Sequence, residues 1–81
     1  MTKYPDYDKI LSECRAEMDA KDEAYVSMWL DYDGKEHWIR QLMNEVKEAD
    51  MAFTIPEERR KYVNIVNLAV MAWERRERAR Q

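Results

Sequence analysis

Eighty-one residues with one glycine, two prolines and 38% charged side chains describe one small domain, residues 1–81, of helical bias, since the usual charged fraction is about 25%. A formal charge of −3 and a pI near 5.2 exclude broad electrostatic attraction to nucleic acid and leave only local basic patches. The lone Cys14 excludes an intrachain disulfide and any zinc-type spacing, and the N-terminus lacks an apolar signal core. The most apolar stretch, Val63 to Trp73, is shorter than the ~20 residues a bilayer crossing needs, so a soluble, cytoplasmic protein with no membrane partner is expected.

In chain order, Tyr7, Ile10, Leu11, Cys14, Met18, Tyr25, Met28 and Trp29 recur at threes and fours, which predicts one long amphipathic helix from about Asp6 to Leu30. Asp6 or Thr2 caps it, with Pro5 tolerated at the first turn. Asp31-Tyr-Asp-Gly34 holds the only glycine and ends the helix. It is not a calcium loop: a Trp falls on that loop's first ligand position and no Glu on its last.

The second helix is expected from Lys35 to Phe53. Ile39, Leu42, Met43, Val46 and Phe53 form its main stripe, and Trp38, Glu45, Ala49 and Ala52 a flanking one. Glu45 then lies at the margin of buried surface, with Glu48 farther out. A third helix opens at Thr54-Ile-Pro-Glu57, which has capping-box spacing, and continues to about Arg78. Val63, Ile65, Val66, Leu68, Ala69, Val70, Ala72 and Trp73 cover most of its circumference, so it must be enclosed on several sides. The expected fold is therefore all-α: a three-helix protomer forming a helical bundle completed by dimerisation, a homodimer or higher homo-oligomer. The tail from Glu74 to Gln81 is a solvated helix end whose arginines complement the helix dipole.

Asn64 and Asn67 are the only polar residues between Val63 and Trp73, and buried amides need partners. Glu45 and Glu48 on the preceding helix stand at i and i+3, a spacing at which two carboxylates share a divalent cation. Magnesium prefers such oxygen ligands and keeps waters to meet a phosphate. The asparagines can add carbonyl oxygens as ligands or amide N–H groups for a phosphate or base. Plainer readings compete at each position. Glu-x-x-Glu is common on solvated helices, the asparagines can fix register across a dimer interface, and Lys21 can pair with Glu17 at i, i+4. Trp29, Trp38 and Trp73 read as core or interface residues, the methionines as adaptable packing, and His37 and Cys14 form no catalytic set.

Lys21-Asp-Glu-Ala-Tyr-Val-Ser-Met-Trp29, Leu42-Met-Asn-Glu-Val-Lys-Glu-Ala49 and Tyr62-Val-Asn-Ile-Val-Asn-Leu-Ala-Val-Met-Ala-Trp73 resemble the successive motifs of the MazG-like all-α nucleoside triphosphate pyrophosphohydrolases. The resemblance runs from roughly Glu17 to Trp73. It implies a helical bundle of two or more protomers, a nucleoside triphosphate substrate cleaved to monophosphate and pyrophosphate, and magnesium as cofactor. It also implies Glu45 and Glu48 as catalytic metal ligands, Asn67 as a third ligand, and Lys21, Asn64 and Asn67 as substrate-binding residues. Asn44 and Asn64 stand where the family pattern has acids, which removes two negative charges, lowers the expected magnesium affinity and argues against a second metal. The alternative is a non-catalytic, homo-oligomeric interaction or nucleotide-binding module that kept the fold and lost the chemistry. Because Arg60 and Arg75 share a face with Asn64, Asn67 and Met71, that face is expected to admit water, and Asn67→Asp is expected to be tolerated and to improve magnesium binding.

Overall fold

The computed structural model describes residues 5–23, 25 and 35–79, and all regular structure among them is α-helical. Helix α1 spans Tyr7–Ala20, α2 Lys35–Asp50 and α3 Ile55–Ala79. None of these helices is long and apolar enough to cross a membrane.

Asp6 caps α1. Its carboxylate accepts the Lys9 N–H at 3.1 Å, which supplies a partner for one of the four donors a helix start leaves open, and its carbonyl accepts the Ile10 N–H at 3.1 Å as the first bond of the helix ladder. Thr2, the other candidate cap, lies outside the described residues. The expected single helix from Asp6 to Leu30 is corrected: α1 stops at Ala20, Lys21 adopts φ −112° and ψ 33°, and residues 22, 23 and 25 are again helical. The Lys21 N–H still reaches the Glu17 carbonyl and the Tyr25 N–H reaches the Lys21 carbonyl, each at 3.1 Å, so the chain bends without losing these bonds. The cause lies in the sequence. After Met18 the apolar stripe calls for a residue at 21 or 22 and meets Lys21 and Asp22, while α1 has no basic residue in its last turn to offset the dipole. Met28, Trp29 and the turn Asp31 to Gly34 lie outside the described residues.

Helix α2 also ends earlier than expected, at Asp50 and not Phe53. The Ala52 N–H closes a tighter turn on the Ala49 carbonyl at 3.3 Å, and the Phe53 N–H is taken by the Glu57 carboxylate at 3.2 Å. That same Glu57 donates its own N–H to Thr54 Oγ1 at 3.2 Å. The capping box predicted at Thr54 to Glu57 is therefore present, with the return bond falling on Phe53, and it pulls Phe53 out of α2 to start α3.

Helices α2 and α3 form an antiparallel pair, seen in the contacts of Glu48 with Lys61 near the connection and Glu45 with Asn64 one turn farther on. Beyond these, Trp38 packs with Tyr25, Leu68 and Met71 into the core, flanked by Met18, Leu42 and Ala72. Trp38 is the most deeply buried large side chain, at 1% exposed. The face of α2 that meets α3 is thus the flanking stripe, with Trp38 and Ala49 buried and Glu45 half-buried. Of the stripe expected to be the main one, Leu42 packs against the core, whereas Ile39, Met43 and Val46 are exposed and Phe53 is 97% exposed. On α3, Leu68 and Met71 are buried, whereas Tyr62, Ala69, Val70 and Trp73 line an open side.

Candidate functional site

The α2–α3 pairing builds one polar cluster. Glu45 and Glu48 come from successive turns of α2, and Lys61 and Asn64, again at i and i+3, come from α3. Lys61 Nζ lies 2.9 Å from Glu48 Oε2 and 3.9 Å from Glu45 Oε2. Asn64 Nδ2 donates to the same Glu45 Oε2 at 3.2 Å. The site is graded in solvent access: the side chains of Glu45, Lys61 and Glu48 are 18%, 29% and 52% exposed. Bonding to Glu48, more than any other influence, holds the Lys61 ammonium above its usual pKa, so it is charged at neutral pH. The orientation of the Asn64 amide follows from chemistry, because an ionised carboxylate only accepts and must face the NH2 end. In consequence Asn64 Oδ1 is buried with no hydrogen-bond partner.

Asn67 sits elsewhere. Its Nδ2 donates to the Cys14 carbonyl at 3.0 Å and to the Tyr25 hydroxyl at 3.4 Å, and the residue is 3% exposed. Three residues along a helix leave two side chains about 60° apart, enough here for Asn64 to serve the α2 interface and Asn67 the α1 interface. The expected water-admitting face is corrected accordingly: Asn67 and Met71 are sealed in the core. A Glu13–Arg59 ion pair ties α1 to α3 on the outside of the same interface.

Of the residues expected at the site, then, Glu45, Glu48 and Asn64 come together. Asn67 is committed to α1, and Lys21 pairs with Glu17 at 2.8 Å. Asn44, on the position that the resemblance makes acidic, is exposed on α2. Lys61 is the residue that sequence reasoning missed. Its signal was its spacing, three before Asn64 and therefore on the same face, but a lysine on a charged helix does not stand out. Cys14, whose carbonyl receives Asn67, is itself buried, and burial pushes its thiol pKa up, the opposite of a reactive cysteine.

Among the described residues no three His, Cys, Asp or Glu side chains gather as a metal cage. Two carboxylates are nonetheless a sufficient protein share for magnesium, which takes its remaining ligands from water and phosphate. The Glu45–Glu48 pair already has a cationic partner in Lys61, which donates to Glu48 at 2.9 Å and lies 3.9 Å from Glu45. The pair does not fit a site with Asn67 as third ligand. Comparison with protein-family models, with curated proteins and with solved structures returns no match for this chain.

Proposed function

We propose that this chain is a MazG-like domain that acts as a homodimer and uses Glu45 and Glu48 to hydrolyse a nucleoside triphosphate to the monophosphate and pyrophosphate. The observation that carries the reading is that Glu45 and Glu48 lie together beside α3, both within 4 Å of the Lys61 ammonium, with Glu48 half-exposed. Magnesium, when bound, supplies charge to offset the triphosphate and lowers the pKa of water for attack on phosphorus. Glu45 and Glu48 hold it, Asn64 fixes the direction of the Glu45 carboxylate, and Glu48, the more exposed acid, takes the proton of the attacking water. Incubating canonical and modified triphosphates with magnesium or manganese and measuring pyrophosphate tests this. Release should exceed that of a Glu45→Gln, Glu48→Gln control, and equality with the control would refute the activity.

A second reading has its own observation. Lys61 already balances part of the cluster's charge and two family acids are asparagines, which favours a non-catalytic homo-oligomeric or nucleotide-binding module. The two separate in a thermal shift with magnesium and a non-hydrolysable triphosphate. Ligand at tenfold its Kd should stabilise a functional site by about 1.4 kcal/mol, and a metal-free module should show no magnesium-dependent shift.

Support for the homodimer comes from the outward stripes. Ile39, Met43 and Val46 on α2 and Tyr62, Val70 and Trp73 on α3 are all exposed, and Val46 and Tyr62 line one shallow depression, which makes the two stripes continuous. Clustered exposed apolar side chains of this kind mark an interaction surface. Two copies packed through these stripes would enclose α3 on several sides and complete a bundle.

A further inference from the structure

We propose that two copies of this chain pair through a self-complementary face, α2 against α2 and α3 against α3, antiparallel about one twofold axis, with Glu36 meeting the partner's Lys47 and Glu58 the partner's Arg76. The inference rests on the homodimer reading above and gives it a direction and a register. Each outward stripe carries opposite charges at its two ends. On α2, Glu36 and Lys47 lie within about 40° of Met43 around the helix axis and border one shallow groove with it. On α3, Glu58 and Arg76 lie about 40° from Tyr62, on the same side as Tyr62 and Trp73. Among the described residues Glu36, Lys47 and Arg76 make no ion pair, and the Glu58 carboxylate accepts only the Tyr62 hydroxyl, at 2.9 Å. Four charges at the rim of an apolar face are thus left for a partner.

A twofold axis joins the opposite ends of a stripe only if it crosses the stripe midway. On α2 the midpoint of Glu36 and Lys47 falls between Gln41 and Leu42, and on α3 the midpoint of Glu58 and Arg76 falls at the level of Asn67. These midpoints are independent in sequence, yet the fold sets them level. Glu45 lies opposite Asn64, and three residues farther along the antiparallel pair Leu42 comes level with Asn67. One axis therefore satisfies both charge pairs, and between them it sets Tyr62 opposite the partner's Trp73, each an exposed aromatic. The face is also clear of α1. Val46 and Tyr62 share one depression, so both stripes open on one side, whereas Asn67, which holds α1, points about 140° away from Tyr62 around α3. A parallel pairing would set Glu36 against Glu36 and Arg76 against Arg76. The apolar stripes supply affinity and the end charges select the direction.

Sedimentation of charge-reversed full chains tests the register. Glu58→Arg and Arg76→Glu each set like charges together twice per dimer, so each should weaken self-association at least about tenfold relative to wild type. An equimolar mixture of the two should regain it, because each variant supplies the charge the other lacks. Helical circular dichroism checks that both are folded. Cysteine pairing gives a second reading: under mild oxidation Glu36→Cys mixed with Lys47→Cys should form a crosslinked dimer, while either variant alone and the wild-type chain, whose Cys14 is buried, should not. A dimer in which Glu36→Cys crosslinks to itself, or in which both reversals associate as tightly as wild type, overturns the register and leaves the homodimer standing. A wild-type chain that stays monomeric overturns both and gives the face to a different partner.

Discussion

Asn67→Asp should destabilise the fold by about 2–5 kcal/mol at neutral pH, and excess magnesium should not restore it. The side chain is 3% exposed and its amide is a donor to the Cys14 carbonyl and the Tyr25 hydroxyl. A carboxylate there would set an ionised oxygen against the Cys14 carbonyl oxygen, where the amide now donates. The sign with pH follows. Burial raises the folded pKa of the introduced carboxyl above its unfolded value of about 3.9, so stability falls as pH rises from there through the folded pKa. Below that window the protonated acid can donate to Cys14 and much of the loss should return. Chemical denaturation at pH 4.5 and pH 7.5, with and without magnesium, measures all three claims. A variant as stable as wild type at pH 7.5, or one that magnesium stabilises, would return Asn67 to the metal site.

Trp38→Ala should cost about 3–5 kcal/mol, the range for removing a large aromatic from a core. For a domain this size total stability is on the order of 4–12 kcal/mol, so the variant should be largely or partly unfolded at modest denaturant. Trp38 is 1% exposed and joins Tyr25, Leu68 and Met71, the residues that hold α2 to α3 beside the polar cluster. Trp73→Ala is the contrast. At 73% exposed it contributes little to a single protomer, and its effect should depend on protein concentration if the residue belongs to an interface between copies. Urea midpoints compared at two protein concentrations separate these cases, with a small midpoint change for Trp38→Ala contradicting the assigned core.

The local signals in the sequence carried most of the secondary structure. The cap of α1, left open between Asp6 and Thr2 and found at Asp6, the Thr54–Glu57 box and the starts of α2 and α3 all depend on neighbours a few residues apart. The bend at Lys21 was readable in principle, as the gap in the apolar stripe at Lys21 and Asp22, but periodicity over a long window passed across it. The choice of face on α2 was not readable, for a physical reason. Hydropathy ranks stripes by apolar bulk, and Ile39, Met43, Val46 and Phe53 outweigh Trp38, Ala49 and Ala52. Trp38 and Ala49 are nonetheless the buried residues of α2, so the less bulky stripe takes the intrachain contact. Pattern alone does not distinguish a face buried within a chain from one reserved for a second copy. At the site, Glu45 and Glu48 stood out by their i, i+3 spacing and Asn64 as a polar residue in an apolar helix, and the structure brings the three together. Asn67 was misassigned because its partners, the Cys14 carbonyl and Tyr25, are distant in sequence, and a backbone carbonyl has no sequence signature.

On the proposed reading a second copy of this chain covers the outward stripes of α2 and α3. Sedimentation equilibrium of the full chain at micromolar concentration tests that claim most directly, with Met43→Glu, Val70→Glu as the paired variant. Both replaced side chains are exposed and lie outside the core cluster, so the protomer fold should survive the change. The expected result is a reversible dimer or higher homo-oligomer for the wild-type chain and a folded monomer for the variant. A wild-type chain that sediments as a compact, stable monomer at these concentrations would contradict the account.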